Sequence, residues 1–167
     1  MKGGEVYIQG NTAGRALINA VGWPRVVING TSLDYLAESF MAGDPLQGGG
    51  FVILNGIEFD ERGRVRAQAT PYPGSNLFSL ASGGAIYVRD PQRKLVPEQL
   101  NGGEFGELSD QDWELIRPYL EANERYFGIS IERDLLTVNG RKCSPPEVYR
   151  KVRAVKLKVL AKVAVPE

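Results

Sequence analysis

The sequence predicts a mainly β protein, built as a right-handed parallel β-helix with a short α-helical C-terminal extension. Three observations predict this fold class. Glycine is frequent, with 20 residues among 167, and the glycines recur at similar places instead of forming a low-complexity tract. Short runs of strand-forming residues lie between them and align with one another as an internal repeat. Within each run the apolar residues alternate, as in a strand with one buried face.

Four segments share a small residue or proline, a short apolar run, a polar residue, and then glycine or aspartate. They are residues 4–10 (GEVYIQG), 24–30 (PRVVING), 50–56 (GFVILNG) and 84–90 (GAIYVRD). Because one such strand cannot bury its apolar side alone, stacking the repeats in register gives a continuous core. The side chains expected on the same side are Val6 and Ile8, Val26 and Ile28, Val52 and Leu54, and Ile86 and Val88.

The remaining segments of the repeat region are less regular. Residues 64–70 (RVRAQAT) also alternate, so we expect them to fill a rung, one turn of the coil, between Gly56 and Gly84. Small residues are frequent in residues 13–22, 33–43 and 76–83. The middle stretch has the apolar spacing of a short helix, but glycine ends each stretch early, which favours another side of the coil.

The C-terminal part follows a different pattern. Ser109 precedes acidic residues, as at a helix N-terminus, and an apolar stripe follows that Gly128 should end. Pro118 predicts a kink in this helix. Valines recur at helical spacing in residues 148–165, yet residues 155–159 also alternate, which leaves helix and strand open. We therefore divide the chain into a glycine-repeat β-helix, residues 1–104, and a helical and basic extension, residues 105–167, that packs on it or caps it.

Composition excludes several kinds of catalytic centre in this chain. It has no histidine and one cysteine, Cys143, which excludes Ser-His-Asp and Cys-His arrangements and leaves an unusual ligand set for zinc. Twenty basic residues balance 20 acidic ones, with no sign of a nucleic acid or membrane partner. No apolar run is long enough to span a bilayer, and the first residues lack a signal peptide's apolar stretch. We expect a cytoplasmic protein.

Glu58, Asp60 and Glu61 form a carboxylate group of the kind with which some β-helix enzymes act on polysaccharides. Phe59 and Gly63 beside them favour a solvated turn instead. The C-terminal stretch from residue 141 to residue 162 is rich in Lys and Arg, which is typical of a basic strip for nucleic acid or an acidic partner. We favour a solvated face, paired with the acidic residues of segment 104–114.

Two other features have a plain explanation. The spacing of Gly10 and Gly14 lacks the third glycine of a dinucleotide fingerprint and the Gly-Lys-Ser/Thr of a P-loop, so corners of the repeat explain these glycines better. Cys143 has no neighbour in the sequence that would clearly activate a thiol. We expect an inert cysteine.

The order of these features resembles the glycine-repeat (GXGXG) C-terminal domain of the glutamate synthase large subunit, which some prokaryotes encode as a separate polypeptide. The repeat is also shared with the glycine-repeat subunit of formylmethanofuran dehydrogenase, a relative with the same fold, but the segments after the repeat favour the glutamate synthase branch. The matching segments are residues 3–14 (GGEVYIQGNTAG), 33–44 (LDYLAESFMAGD), 48–56 (GGGFVILNG), 108–116 (LSDQDWELI), 126–130 (YFGIS) and 149–152 (YRKV).

The resemblance implies a non-catalytic structural or assembly subunit of a glutamate synthase-like oxidoreductase complex. It places no catalytic, cofactor-binding or metal-binding residue in this chain, and assigns FMN and an iron–sulfur cluster to partner subunits. Two alternatives stay open: a structural component of a formylmethanofuran dehydrogenase-type complex, and an independent β-helix enzyme acting on carbohydrate. A repeat that starts at Gly4 also predicts an uncovered edge, to which other subunits of the complex or a second copy would bind.

Overall fold

The computed structural model describes residues 1–155 and shows a mixed α/β protein. Within these residues, ten strands form one six-stranded sheet and two hairpins, and two α-helices follow the repeat region. The strands are β1 (Gly3–Ile8), β2 (Trp23–Ile28), β3 (Phe51–Leu54), β4 (Ile57–Phe59), β5 (Val65–Ala67), β6 (Ala85–Arg89), β7 (Gly103–Gly106), β8 (Thr137–Val138), β9 (Arg141–Lys142) and β10 (Tyr149–Ala154). The helices are α1 (Asp110–Phe127) and α2 (Pro145–Val148).

The four repeat segments form neighbouring parallel strands, β1, β2, β3 and β6. Their register aligns Val6 with Val26, Val52 and Ile86, which confirms the predicted alignment of the apolar positions. Gly30 lies just after β2, where a Cβ atom would be 2.6 Å from the backbone nitrogen of Asn11. Glycine is therefore needed there for the close approach of two successive repeats.

The predicted β-helix is wrong. A solenoid would carry several parallel sheets around its coil, whereas the segments between the strands make only isolated bridges, such as Thr12 with Ser32. After β6 the parallel stacking also stops. Strand β10, from the C-terminal part, inserts between β6 and β7 and runs antiparallel to both, so the six-stranded sheet is mixed, in the order β1-β2-β3-β6-β10-β7.

The prediction that residues 64–70 fill a rung is also wrong. Strand β5 within them pairs antiparallel with β4 as a hairpin, while β3 pairs directly with β6. The turn of this hairpin, with Asp60 and Gly63, follows β4 closely enough to favour local pairing. The alternation of residues 64–70 thus reflects an exposed hairpin strand.

Stacked turns cover one face of the sheet, and we call residues 15–19, 35–39 and 76–80 the turn layer. The amides of Arg15, Ala37 and Phe78 donate to the carbonyls of Asp34, Ala16 and Leu36 at 2.8–2.9 Å. The short-helix interpretation of residues 33–43 is therefore not what the structure has. The turn layer and the sheet enclose a first core that includes Val26, Val52, Ile86, Leu36, Phe40, Leu77 and Phe78.

Helix α1 covers the opposite face. Ser109 caps it by accepting a hydrogen bond from the amide of Asp112, and Gly128 ends it in the left-handed conformation with φ 71°, so the predicted start and end are confirmed. Side chains that point away from the turn layer form a second core with the helix. Its members include Val27, Phe51, Ile53, Tyr87, Ile116 and Leu120.

Strand β10 resolves part of the ambiguous stretch 148–165. Val148 ends α2, Tyr149–Ala154 is strand β10, and residues 156–165 lie outside the described residues. Tyr149 packs in the second core, whereas Val152 packs in the first. Within residues 1–155, no helix has the length and apolar character needed to cross a membrane.

Candidate functional site

The edge formed by β1 and residues 15–19, called here the β1 edge, is open along its outer side. Strand β1 has one neighbour, β2. In the turns that follow, the amides of Arg15 and Asn19 donate to the carbonyls of Asp34 and Glu38 at 2.8 and 2.9 Å. All these hydrogen bonds lead inward to the next repeat. Along this side, therefore, no strand or turn of residues 1–155 pairs with the edge.

Apolar side chains are uncovered at this edge. Val6 is 38% exposed, although its register partners Val26, Val52 and Ile86 are at most 1% exposed. Ile18 in the adjoining turn is 41% exposed. The edge therefore has the side chains of a buried position, with no neighbour among residues 1–155 to bury them.

Charges at the β1 edge are paired locally. Arg15 forms an ion pair with Glu38 and lies over the ring of Tyr35. On the helix side, the Tyr7 hydroxyl donates to Glu5 at 3.0 Å, and the Tyr7 ring lies 5.0 Å from that of Tyr126. Arg15 is thus neutralised by Glu38, whereas the Glu5 carboxylate keeps its charge, because a tyrosine hydroxyl is neutral.

The carboxylates singled out in the sequence lie in the β4–β5 hairpin. Glu58 forms an exposed ion pair with Arg66 at 3.2 Å, and Asp60 accepts hydrogen bonds from the amides of Arg62 and Arg64, both at 2.9 Å. The hydrogen bond from the Arg64 amide is the main cause of the lowered pKa of Asp60. These contacts are those of a solvated turn, and they keep Asp60 ionised, which does not suit a general acid.

The described basic residues of the C-terminal stretch are largely paired, but Arg150 and Lys151 are mostly buried, so this face is solvated only in part. Lys151 contacts Asp112 at 2.8 Å, and Arg153 contacts Glu104 at 2.9 Å, so the predicted pairing with segment 104–114 is observed twice. Lys156, Lys158 and Lys162 lie outside the described residues. Further pairs join Arg141 to Glu147, Lys142 to Glu132 and Arg150 to Asp90.

Cys143 is buried, with its thiol 3.6 Å from the carbonyl oxygen of Arg141. Among residues 1–155, no three acidic or cysteine side chains cluster closely enough to hold a metal ion. Comparison of the chain with protein-family models, with curated proteins and with solved structures finds no match.

Proposed function

We propose that this chain is a non-catalytic assembly component that binds another polypeptide along the β1 edge. The observation that supports this proposal is Val6, which is exposed although the same register position is buried in the three strands that follow. A neighbouring strand would satisfy the outer backbone groups of β1 and remove Val6 from water together. Each of these changes favours association.

The partner is expected to offer a strand followed by a stacked turn. A single strand would cover β1 but leave Ile18 and the outer groups of residues 15–19 uncovered. Every turn of the turn layer stacks on a parallel neighbour, as when the Ser39 amide donates to the Ser79 carbonyl at 2.8 Å. A partner with one repeat of the same kind, parallel to β1, covers both parts of the edge.

A second copy of this chain fits this edge less well. A two-fold pair of copies would place β1 against β1 in antiparallel order, which does not reproduce the parallel stacking of the turns. The opposite sheet edge is β7, with only four residues, and it pairs antiparallel with β10. The proposal is therefore a heteromeric complex.

The proposed setting is a glutamate synthase-like oxidoreductase complex in the cytoplasm, with FMN and an iron–sulfur cluster on the partner subunits. Its support is the sequence pattern of the repeat and of residues 108–116, together with the absence of histidine. The fold that the resemblance implied differs from the mixed sheet described above. The setting therefore depends on the sequence pattern alone, whereas the binding edge depends on the structure.

A pull-down from native extract with tagged chain tests both parts, with flavin and iron content measured in the eluate. Val6→Lys puts a charge on the edge, and Val96→Lys is the matched control, because Val96 is 42% exposed in a distant loop. We expect the wild type and Val96→Lys to retain a flavin and iron–sulfur partner, and Val6→Lys to lose it by about tenfold or more. A partner held equally by Val6→Lys would contradict the binding edge. A partner without flavin or iron would contradict the setting, and glutaminase or redox turnover by the chain alone would contradict the non-catalytic role.

A further inference from the structure

A cavity of about 350 Å³ lies between β6, the β4–β5 hairpin and the β8–β9 hairpin. It lies at the end of β6, and one of its lining residues, Gln68, donates a hydrogen bond to Asn11 at 2.8 Å. Most of the side chains around it are polar. The residues lining it are Gly56, Ala67, Gln68, Ala69, Pro71, Arg89, Asp90, Pro91, Gln92, Lys94, Thr137, Val138 and Asn139.

Arg89 supplies a buried cation at this cavity. It follows Val88 at the repeat position that Asn29 and Asn55 occupy after β2 and β3, and it is only 6% exposed. Its Nε donates to the carbonyl of Leu135 at 2.9 Å, and its Nη2 lies 3.5 Å from that of Asp134. Within residues 1–155 its guanidinium makes no ion pair with a carboxylate, so most of its five donors stay available.

Lys94 adds a second positive charge to the lining. Its ammonium donates to the carbonyl of Ala69 at 2.6 Å, which leaves two of its donors for other acceptors. The acidic group of the lining, Asp90, is already neutralised. Its carboxylate accepts from Arg150 at 3.0 Å and from the amides of Lys94 and Leu95 at 2.8 and 2.9 Å.

We propose that this cavity binds the carboxylate or phosphate group of a small molecule. A buried guanidinium that contacts no carboxylate directly is costly, although the charge of Asp134 offsets part of that cost, and an anion beside it would offset more. The planar donors of Arg89 fit the two oxygens of either group, and Lys94 adds a point charge. The amides of Gln92 and Asn139 offer hydrogen bonds to the rest of such a molecule. Burial lowers the pKa of Arg89, the direction expected for a desolvated cation.

Calorimetric titration of the full chain at low ionic strength tests the site, with inorganic phosphate in one arm and malonate in the other. Lys94→Gln removes one lining charge at an exposed position. Arg93→Gln is the matched control, because it removes the same charge from the adjacent residue, which does not line the cavity. Arg89→Gln is measured as well, with circular dichroism to establish that it folds.

We expect the wild type to bind at least one of the two anions, and the tighter arm identifies the group. Lys94→Gln should weaken binding about tenfold, and a folded Arg89→Gln should abolish it, while Arg93→Gln should change it less than about twofold. Absence of binding by the wild type at millimolar concentration would overturn the proposal. Equal weakening by Lys94→Gln and Arg93→Gln would also overturn it, since that result indicates nonspecific attraction.

Discussion

At the scale of single residues, a network of buried side-chain amides joins the sheet to helix α1 and to strand β10. The Asn29 and Asn123 side chains exchange two hydrogen bonds, of 2.7 and 2.8 Å, and Asn55 donates to Asn29 at 2.9 Å. The Tyr149 hydroxyl then donates to Asn55 at 2.7 Å. Asn29, Asn55 and Asn123 are fully buried. Because each of these polar atoms needs the next one as its hydrogen-bond partner, the network holds β2, β3, α1 and β10 in one relative position.

Replacing Asn29 should therefore be costly. Asn29→Ala leaves the Asn123 amide and a donor of Asn55 buried without partners, so we expect the free energy of unfolding to fall by about 3 kcal/mol. Asn101→Ala is the control, because Asn101 is exposed and its bond to Asn76 is replaceable by water. Urea denaturation measures both variants. Equal stability of the two variants would show that the buried hydrogen-bond network contributes little to the free energy of unfolding.

Asp112 is a second buried residue with several partners. It accepts hydrogen bonds from Tyr87 at 2.7 Å and Lys151 at 2.8 Å, and its carboxylate also accepts from the backbone amide and hydroxyl of Ser109. Burial raises the pKa of Asp112, but these hydrogen bonds outweigh burial, and the net pKa lies below the ordinary 3.8. The ionised form is thus stabilised in the folded protein.

Titration of Asp112 should make the stability of the protein depend on pH in the acid range. Because the pKa of Asp112 is lowered in the folded state, its ionised carboxylate stabilises the fold. This stabilisation is fully present above pH 3.8 and is lost as the pH falls through the folded-state pKa. Asp112→Asn should lower the free energy of unfolding by about 3 kcal/mol at neutral pH. The difference in stability between this variant and the wild type should become smaller below pH 3.8. Denaturation curves over this range measure the difference. A constant difference would contradict the assigned ionised state.

At the scale of elements, the turn layer contains residue types that rarely adopt the left-handed backbone conformation found there. Nine non-glycine residues of the layer have φ between 54° and 63°. Left-handed conformation costs most residues about 1 kcal/mol or more, so packing in the first core must offset it. The layer could not be predicted from sequence, because Leu, Phe and Ser occupy positions where a sequence pattern would need glycine or asparagine. Its members with positive φ are Arg15, Leu17, Asn19, Tyr35, Ala37, Ser39, Asn76, Phe78 and Leu80.

Leu80 allows this strain to be measured. Its side chain is 74% exposed and its φ is 57°, so Leu80→Gly loses little packing and should raise the free energy of unfolding by about 1 kcal/mol. Leu33, which is 54% exposed without a positive φ, is the control, and Leu33→Gly should lower stability by about 0.5 kcal/mol. Thermal denaturation compares the two. Loss of stability in both variants would contradict strain at Leu80.

The elements that were predictable have strong local signals. The four parallel strands have alternating apolar residues between glycines, and α1 has Ser109 before it and Gly128 after it. The cavity at Arg89 was not predictable, because its lining comes from segments far apart in the chain, and a lone arginine in a strand gives no signal of a site.

At the scale of the whole molecule, β10 decides the fold class. It inserts between β6 and β7 and contributes Tyr149 to the second core and Val152 to the first. The sequence left this stretch open because its valines fit both a helix and a strand. Long-range pairing then selected the strand, since β6 offers an unpaired edge flanked by apolar cores on both faces.

This insertion should couple the repeat region and the C-terminal part in unfolding. Val152 is fully buried, so Val152→Ala removes two methyl groups from the first core and should cost about 2 kcal/mol. If the two parts unfold together, amides of β2, β3 and α1 should lose the same amount of protection in hydrogen exchange. Loss of protection confined to β7, β10 and α1, with β2 and β3 unchanged, would show two separate units. We expect equal loss of protection in β2, β3 and α1, because the two cores lie on opposite faces of one sheet that unfolds cooperatively.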